Sequence, residues 1–166
     1  MSNHRNDEYG GSFQNRIRIL LEIIEAVRSV WPDNYPLLVR ISSTDWVEGG
    51  WTIEDSVELA KVLLTSGVDL VDCSSGGTVP HAKIPAAPGY QVEFAEQIRK
   101  ASGIATGAVG IIVTPEQADE VIISGKADVV LLAREMLRDP YFPLRAAHKL
   151  GHDTKWPVQY ERAKRK

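Results

Sequence analysis

The sequence has few of the features that would place the protein outside the cytosol. It contains one cysteine, Cys73, among 166 residues, which excludes an internal disulfide framework and fits a reducing compartment. No apolar run approaches the length of a membrane span. The N-terminus is polar and lacks the apolar core of a signal peptide. We therefore expect a cytoplasmic protein that has no membrane partner.

Excess charge and clustered metal ligands are also lacking. The net charge of −3 gives no reason to expect nucleic acid as a partner. We interpret the basic tail, Arg162 to Lys166, as a solvated end of the chain. The four histidines are scattered without the spacing of metal ligands, so the sequence predicts no metal site.

Helix-period segments alternate with short apolar segments, and glycine or proline separates them. The predicted helices are 14–30, 52–66, 91–101, 114–124 and 139–150, and the predicted strands are 36–42, 68–73, 104–107 and 127–132. Apolar strands alternating with helices favour a parallel sheet covered on both faces. We predict an α/β fold in which one helix precedes four strand–helix units, as a single partial domain over 1–166. A whole (βα)8 barrel needs about 250 residues, so the alternatives are half a barrel or a small open sheet.

In parallel barrels the active site forms at the carboxyl ends of the strands. Arg40 lies inside the first predicted strand, where a charge is costly unless it is paired. One interpretation is a structural ion pair, perhaps with Asp72 on the next strand. The other is a cation directed at an anionic or electron-rich ligand. Cys73 is interpreted as a small core residue rather than a nucleophile.

Two neighbouring strands lead into segments suited to an anion. The third strand leads into Gly107 and Gly110, and the fourth into Ala133 and Arg134, which begin a short helix. Loops after the last two strands of a barrel, together with a short extra helix, commonly bind phosphate. The alternative is that these segments are tight turns beside a surface arginine. Ser74 to Gly77, after the second strand, give only a weak signal.

An ordered set of motifs then resembles one family over essentially the whole chain. The motifs are SNHRNDEYGGS at 2–12, LVRIS at 38–42, DLVDCSSG at 69–76, PGYQ at 88–91, TGAVG at 106–110, AR at 133–134, LRDP at 137–140 and PVQYER at 157–162. Together they resemble the C-terminal half of Old Yellow Enzymes, in the bacterial NADPH dehydrogenase or xenobiotic reductase-like branch. The resemblance implies an FMN-dependent (βα)8 barrel.

The resemblance also implies residue roles. Arg40 matches an arginine beside the N1/O2 edge of the flavin, where a cation stabilises charge on the reduced cofactor. Gly110, Ala133 and Arg134 match the FMN-phosphate site, although the family usually has glycine where Ala133 stands. Gln159 lies in a C-terminal segment that reaches toward the flavin. Arg162 matches a catalytic-site arginine that enters a neighbouring subunit's active site, which implies a homo-oligomer.

The implied reaction passes hydride from NADPH or NADH through FMN to an activated alkene such as an enone. The residues that hold the substrate in this family belong to the first half of the barrel, upstream of Ser2, so we expect a truncated or split protein that is inactive alone. A complementary N-terminal half-barrel would then be a partner. The alternative is a non-catalytic half-barrel that binds flavin or phosphate, or self-associates. An unrelated phosphate-binding barrel fragment is a third possibility.

Overall fold

Four parallel strands form one sheet in the computed structural model, which describes residues 2–164. The strands pair in chain order, each with the next. They are β1 (Leu38–Ser42), β2 (Leu70–Ser74), β3 (Ala105–Ala108) and β4 (Val129–Val130). The helices are α1 (Phe13–Arg28), α2 (Ile53–Thr65), α3 (Val92–Ser102), α4 (Pro115–Ile123), α5 (Arg134–Arg138) and α6 (Phe142–Lys149), followed by a 3-10 helix, Val158–Ala163. The predicted fold class, one helix followed by four strand–helix units, is confirmed. Arg165 and Lys166 of the basic tail lie outside the described residues.

Side-chain caps fix where the helices begin. The Thr52 hydroxyl accepts the Asp55 amide, and the Asp55 carboxylate accepts the Thr52 amide in return. Thr114 and Gln117 form the same reciprocal pair at α4, whose first residue is a proline. Each box satisfies two backbone N–H groups that a helix start would otherwise leave unpaired. The capped starts that the sequence predicted at Thr52 and Thr114 are confirmed.

The core lies between one face of the sheet and the helices α2 and α3. Its most enclosed members, each at most 1% exposed, are Ala60, Leu63, Val71, Cys73, Ala95, Ile98, Ile104 and Ala108. Complete burial of one large aliphatic side chain contributes about 1.5–3 kcal/mol. The buried side chains of α2, α3, β2 and β3 therefore form one cluster, which stabilises the two central strands of the sheet.

The two outer strands are more open than the sequence predicted. All of Leu70, Val71, Asp72 and Cys73 in β2 are buried, but Leu38 in β1 is 50% exposed and Val129 in β4 is 39% exposed. The expectation of a sheet covered on both faces therefore holds for β2 and is wrong for the outer strands. The physical reason is that β1 and β4 each have one strand neighbour in this sheet, whereas β2 has a strand on either side.

Strand β4 is also shorter than the predicted 127–132. Its ladder covers only Val129 and Val130, although the Leu131 amide still donates to the Ala108 carbonyl at 2.9 Å. The apolar run continues past the end of the ladder because the chain turns there toward α5. Ala133 therefore lies two residues beyond Leu131, whose amide makes the last backbone hydrogen bond to β3.

Candidate functional site

Arg40 and Asp72 form an ion pair across the first two strands. The two residues are register partners in the parallel ladder, so their side chains emerge on the same face. Arg40 Nη1 donates to Asp72 Oδ2 at 2.7 Å. The arginine side chain is 56% exposed, whereas the aspartate side chain is 9% exposed. Both interpretations made from the sequence thus have support: the pair exists, and most of the cation still faces the open side.

The carboxylate of Asp72 is only half satisfied. Its Oδ2 accepts from Arg40, but its Oδ1 is buried with no hydrogen-bond partner among the described residues. The strand neighbour on its other side is Gly107, which has no side chain to reach it. A Cβ at Gly107 would collide with Leu131 Cδ1, which shows that Leu131 covers this glycine. The aspartate therefore lies against apolar groups and depends on Arg40 for its charge balance.

A chain of hydrogen bonds joins the loops that follow β1, β2 and β3. Trp46 Nε1 donates to Ser75 Oγ at 3.0 Å, and Ser75 Oγ donates to Gln91 Oε1 at 2.7 Å. Gln91 Nε2 then donates to the Val109 carbonyl at 3.2 Å. Gln91 is 3% exposed and Ser75 is 9% exposed. Each polar group in this buried network has a partner, so the network fixes the relative positions of the three loops. These loops lie where the carboxyl ends of the strands meet, which we call the carboxyl edge of the sheet.

The loop after β3 is bent sharply at Gly110. This glycine has φ of +128°, and a Cβ there would lie 3.1 Å from Gln91 Nε2. The next residue, Ile111, has φ of +52°, a left-handed conformation that a β-branched residue rarely adopts. The turn and its contact with Gln91 already require glycine here. A role for Gly110 toward phosphate is therefore a proposal beyond what the turn explains.

Ala133 and Arg134 lie at the start of α5, the short helix after β4. Both are exposed, and the first amides of any helix have no intrahelical partner. Ala133 has φ of −100°, so alanine fits there without strain, although the family usually has glycine. Arg134 is thus exposed at the end of β4, the strand next to the one that leads into Gly110.

Cys73 lies in β2 next to Asp72 but on the opposite face, in the core. Burial, together with the negative charge of Asp72, raises the pKa of its thiol to about 12. A thiol with that pKa carries almost no thiolate at neutral pH, and thiolate is the reactive form. The structure therefore supports the interpretation of Cys73 as a core residue.

Gln159 and Arg162 lie apart from the other predicted site residues. Both are exposed on the 3-10 helix, whose Tyr160 ring packs edge-on against Tyr141 at 5.9 Å between centroids. Lys164 donates to the Thr154 carbonyl at 3.0 Å and pairs with Asp153. The strands bring Arg40, Gly110 and Ala133–Arg134 to one edge, whereas the 3-10 helix that carries Gln159 and Arg162 packs through Tyr160 against Tyr141. Their assignment to a flavin or subunit site stays a prediction.

Sequence reasoning missed Trp46 and gave no role to Gln91. A signal for Gln91 was available, because it lies three, four and seven residues before Phe94, Ala95 and Ile98 on the buried stripe of α3. A polar residue on such a stripe must find partners. No comparable signal marks Trp46, whose φ of +60° and bond to Ser75 appear only in the folded chain.

Two other features are absent from the part of the chain that the structure describes. Among residues 2–164, no group of three or more His, Cys, Asp or Glu side chains is arranged to hold a metal ion. Over the same residues, no helix combines the length and the apolar character needed to cross a membrane.

Comparison with known proteins identifies relatives that match the sequence motifs. Residues 1–153 match the model of the NADH:flavin oxidoreductase / NADH oxidase family. The chain is 56% identical over 162 residues to an NADPH dehydrogenase of Geobacillus sp. (strain WCH70), and 54% identical to one of Geobacillus thermodenitrificans (strain NG80-2). Each match covers 98% of this chain and 47% of the relative, so the chain spans about half the length of these relatives. Gln159 and Arg162 lie beyond the residues that the family model matches.

Solved structures agree with the fold. A 2-naphthoyl-CoA reductase in complex with 2-naphthoyl-CoA matches with a TM-score of 0.79 and 32% identity, over 91% of this chain and 23% of that one. Histamine dehydrogenase from Rhizobium sp. 4-9 matches with a TM-score of 0.72 and 25% identity, over 90% of this chain and 22% of that one. The resemblance read from the motifs, including FMN as the family's cofactor and a nicotinamide as its reductant, is thus confirmed for the family.

Proposed function

Because the chain belongs to the NADH:flavin oxidoreductase / NADH oxidase family, we propose that it forms the phosphate-binding and N1/O2 side of the FMN site of an NADPH dehydrogenase. The observation that carries this proposal is Arg40, a strand arginine whose side chain makes only one hydrogen bond in the described chain and is more than half exposed. A charge held at that place in a sheet suits a ligand whose charge changes during reaction.

The residues at the carboxyl edge fit the two ends of such a cofactor. Arg134 and the first amides of α5 offer charge and N–H donors to a phosphate, next to the loop of Gly110. Arg40 lies on β1, two strands from β3, and more than half of its side chain is exposed. When bound, FMN would supply hydride transfer, and the proposed overall reaction passes hydride from NADPH to an activated alkene such as an enone. NADH as the reductant is the alternative.

The role of the chain's own residues is to hold and orient. Arg40 stabilises negative charge that develops on its ligand, and the Trp46–Ser75–Gln91 chain holds three loops in place around it. Turnover requires substrate-binding residues that the family resemblance assigns to the other half of the barrel. We propose that Gln159 contributes from the tail and that Arg162, exposed on it, contributes to a neighbouring subunit.

The direct test is cofactor retention by the purified chain. FMN is added, free cofactor is removed, and the visible spectrum is recorded; a retained, shifted flavin band is expected. Replacing Arg134 by alanine should weaken FMN binding by about 10- to 100-fold, because a charge-assisted contact to phosphate is lost. Binding of riboflavin, which lacks the phosphate, should change by less than about twofold.

Arg138→Ala is the matched control, because Arg138 lies on the same short helix, is 64% exposed and pairs with Glu135. Its FMN affinity should equal that of the unmodified chain. Equal losses for Arg134→Ala and Arg138→Ala, or equal losses for FMN and riboflavin, would contradict the phosphate assignment. A colourless unmodified chain would contradict the proposal that this half alone forms the site.

A non-catalytic function is a second candidate, and the open outer strands favour it. Leu38 and Val129 are exposed at the two edges of the sheet, and such edges promote pairing with another chain. A dimer or larger assembly of a flavin-free chain in size-exclusion chromatography would support this candidate. A monomer that retains FMN would count against it.

A further inference from the structure

Asp72 is the one carboxylate of the described chain that is nine-tenths buried beside the predicted cofactor arginine. One of its oxygens binds Arg40 at 2.7 Å, and the other is buried without a partner among residues 2–164. An acidic residue in this position lowers the net positive charge that Arg40 presents, because the two charges lie in direct contact. From this geometry we propose that Asp72 is a positioning and charge-balancing residue that lowers the reduction potential of the bound flavin. The inference rests on the proposed function.

The neighbourhood of Asp72 offers no other cation in hydrogen-bond contact. Gly107 lies beside it in the ladder, and Leu131 covers that glycine. Asp69, the residue before β2, lies three positions earlier, about 10 Å away along the chain. Asp69 has its own cation, Arg28, at 2.7 Å. Arg40 is therefore the cation with which the charge of Asp72 interacts most strongly.

The expected direction of the effect follows from the charge change on reduction. Reduction of a bound flavin by hydride from NADPH, which becomes NADP⁺, would add two electrons and one proton, and therefore one negative charge. A cation beside that charge favours the reduced form, and a neighbouring anion opposes it. Removing the negative charge of Asp72 while keeping Arg40 should therefore raise the potential. Removing Arg40 while keeping Asp72 should lower it.

Asp72→Asn is the decisive variant, because its amide oxygen can still accept the Arg40 hydrogen bond while the charge is gone. We expect the reduced cofactor to be bound at least about tenfold more tightly relative to the oxidised one, which corresponds to a rise of about 30 mV in the two-electron potential. The potential is measured by equilibration with a reference dye during slow enzymatic reduction, on the unmodified chain and on each variant.

Asp69→Asn is the matched control. It removes the same charge and an Arg–Asp contact with the same N–O distance, 2.7 Å, at the residue that precedes the same strand. Its relative affinity for the two flavin forms should change by less than about twofold. A shift as large in Asp69→Asn as in Asp72→Asn would overturn the inference, since only the net charge of the chain would then matter.

A double variant covers the case in which Asp72→Asn does not fold. Arg40→Gln with Asp72→Asn replaces the pair by two neutral groups, so no charge is left buried. Its potential should lie closer to that of the unmodified chain than the potential of Arg40→Gln alone. A double variant no closer than the single variant would overturn the inference.

Failure of the inference is distinguishable from failure of the proposed function. An unmodified chain that retains no FMN removes the premise and overturns both. A chain that retains FMN with the same potential in Asp72→Asn as in the unmodified protein overturns the inference alone. A merely structural role of Asp72 would change stability but would leave the potential unshifted.

Discussion

The Arg–Asp pairs at the amino ends of the strands differ from the Arg40–Asp72 pair inside the sheet. At the amino ends, Asp69 accepts from the Leu37 amide and from Arg28, and Asp128 accepts from the Thr106 amide and from Arg99. Each carboxylate thus joins two adjacent strands and remains partly solvated. Asp72, the middle residue of β2, is instead buried with one oxygen unbonded. The carboxylates of Asp69 and Asp128 thus have two partner residues each, whereas Asp72, beside the proposed ligand, has one.

Backbone strain also differs between the loops at the carboxyl ends of the strands and the loops at their amino ends. Within residues 2–164, the non-glycine residues with positive φ are Trp46 and Ile111, and both follow the carboxyl ends of strands. Such conformations cost about 1–3 kcal/mol each and persist where the surroundings hold them. The connections at the amino ends turn at glycines instead, including Gly67 and Gly103.

The largest expected effect is a loss of stability when the Arg40–Asp72 ion pair is broken. Arg40→Gln should lower the free energy of unfolding by about 2–3 kcal/mol, because Asp72 then keeps a buried charge without its cation. Adding Asp72→Asn should recover at least half of that loss. Urea unfolding of the single and double variants is the measurement, and equal stabilities of the two would show that Asp72 is not dependent on Arg40.

The hydrogen-bond chain at the carboxyl edge gives the next effect. Gln91→Leu should cost about 1–3 kcal/mol, because it leaves the Ser75 hydroxyl and the Val109 carbonyl without their partner. Gln97→Leu, on the surface side of the same helix, is the control and should change stability by less than about 0.5 kcal/mol. Thermal unfolding of both variants measures the difference, and similar losses would argue against a network that holds the loops.

Strain at Ile111 predicts a smaller effect. Ile111→Gly removes a left-handed β-branched residue and should be about 1 kcal/mol less destabilising than Val113→Gly, whose backbone is not strained. Denaturant unfolding of the pair gives the comparison. If Ile111→Gly were the more damaging change, packing of its side chain would outweigh the strain.

The smallest effect concerns acid stability at the amino end. The hydrogen bond from the Leu37 amide lowers the pKa of Asp69, and Arg28 adds to this. Burial acts to raise the pKa of Asp128, but Arg99 and the Thr106 amide outweigh it, so this pKa also lies below the usual value. A depressed pKa in the folded state gives stability that is present above the unfolded pKa, about 4, and is lost as pH falls through the folded value.

Asp69→Asn and Asp128→Asn should therefore each flatten the loss of stability below about pH 4. Chemical unfolding at pH 7 and at pH 3 measures this slope. The solvated Glu58→Gln on α2, whose carboxylate pairs with Lys61 on the surface, is the control and should leave the slope unchanged. An unchanged slope in both aspartate variants would contradict the assigned role of the amino-end pairs.

Much of the fold follows from local signals in the sequence. Thr114 and Gln117 predict the start of α4 because a capping box depends on residues three positions apart. The length of β4 could not be predicted, because Leu131 and Leu132 continue the apolar run after the ladder ends. Ladder ends depend on the path of the neighbouring chain, which no local pattern contains.

The Arg40–Asp72 pair could be predicted because the chemistry of an arginine inside a strand allows few arrangements. Arg40 had to be paired or directed at a ligand, and Asp72 was the available partner. The bond from Trp46 to Ser75 joins residues 29 positions apart and depends on an unusual backbone conformation, so only the fold reveals it. Gln159 and Arg162 remain predictions from family resemblance.

The place of Trp46 gives the protein an optical reporter. Its indole bonds to Ser75 at the carboxyl edge and packs edge-on against Phe94 at 5.4 Å between centroids, whereas Trp31 bonds to the Pro36 carbonyl and Trp51 to Ser56. Indole emission overlaps the absorption band of an oxidised flavin, so a bound flavin at this edge would quench Trp46 by energy transfer. The difference in emission between the unmodified chain and Trp46→Phe would then follow occupancy of the edge in real time, without any added label.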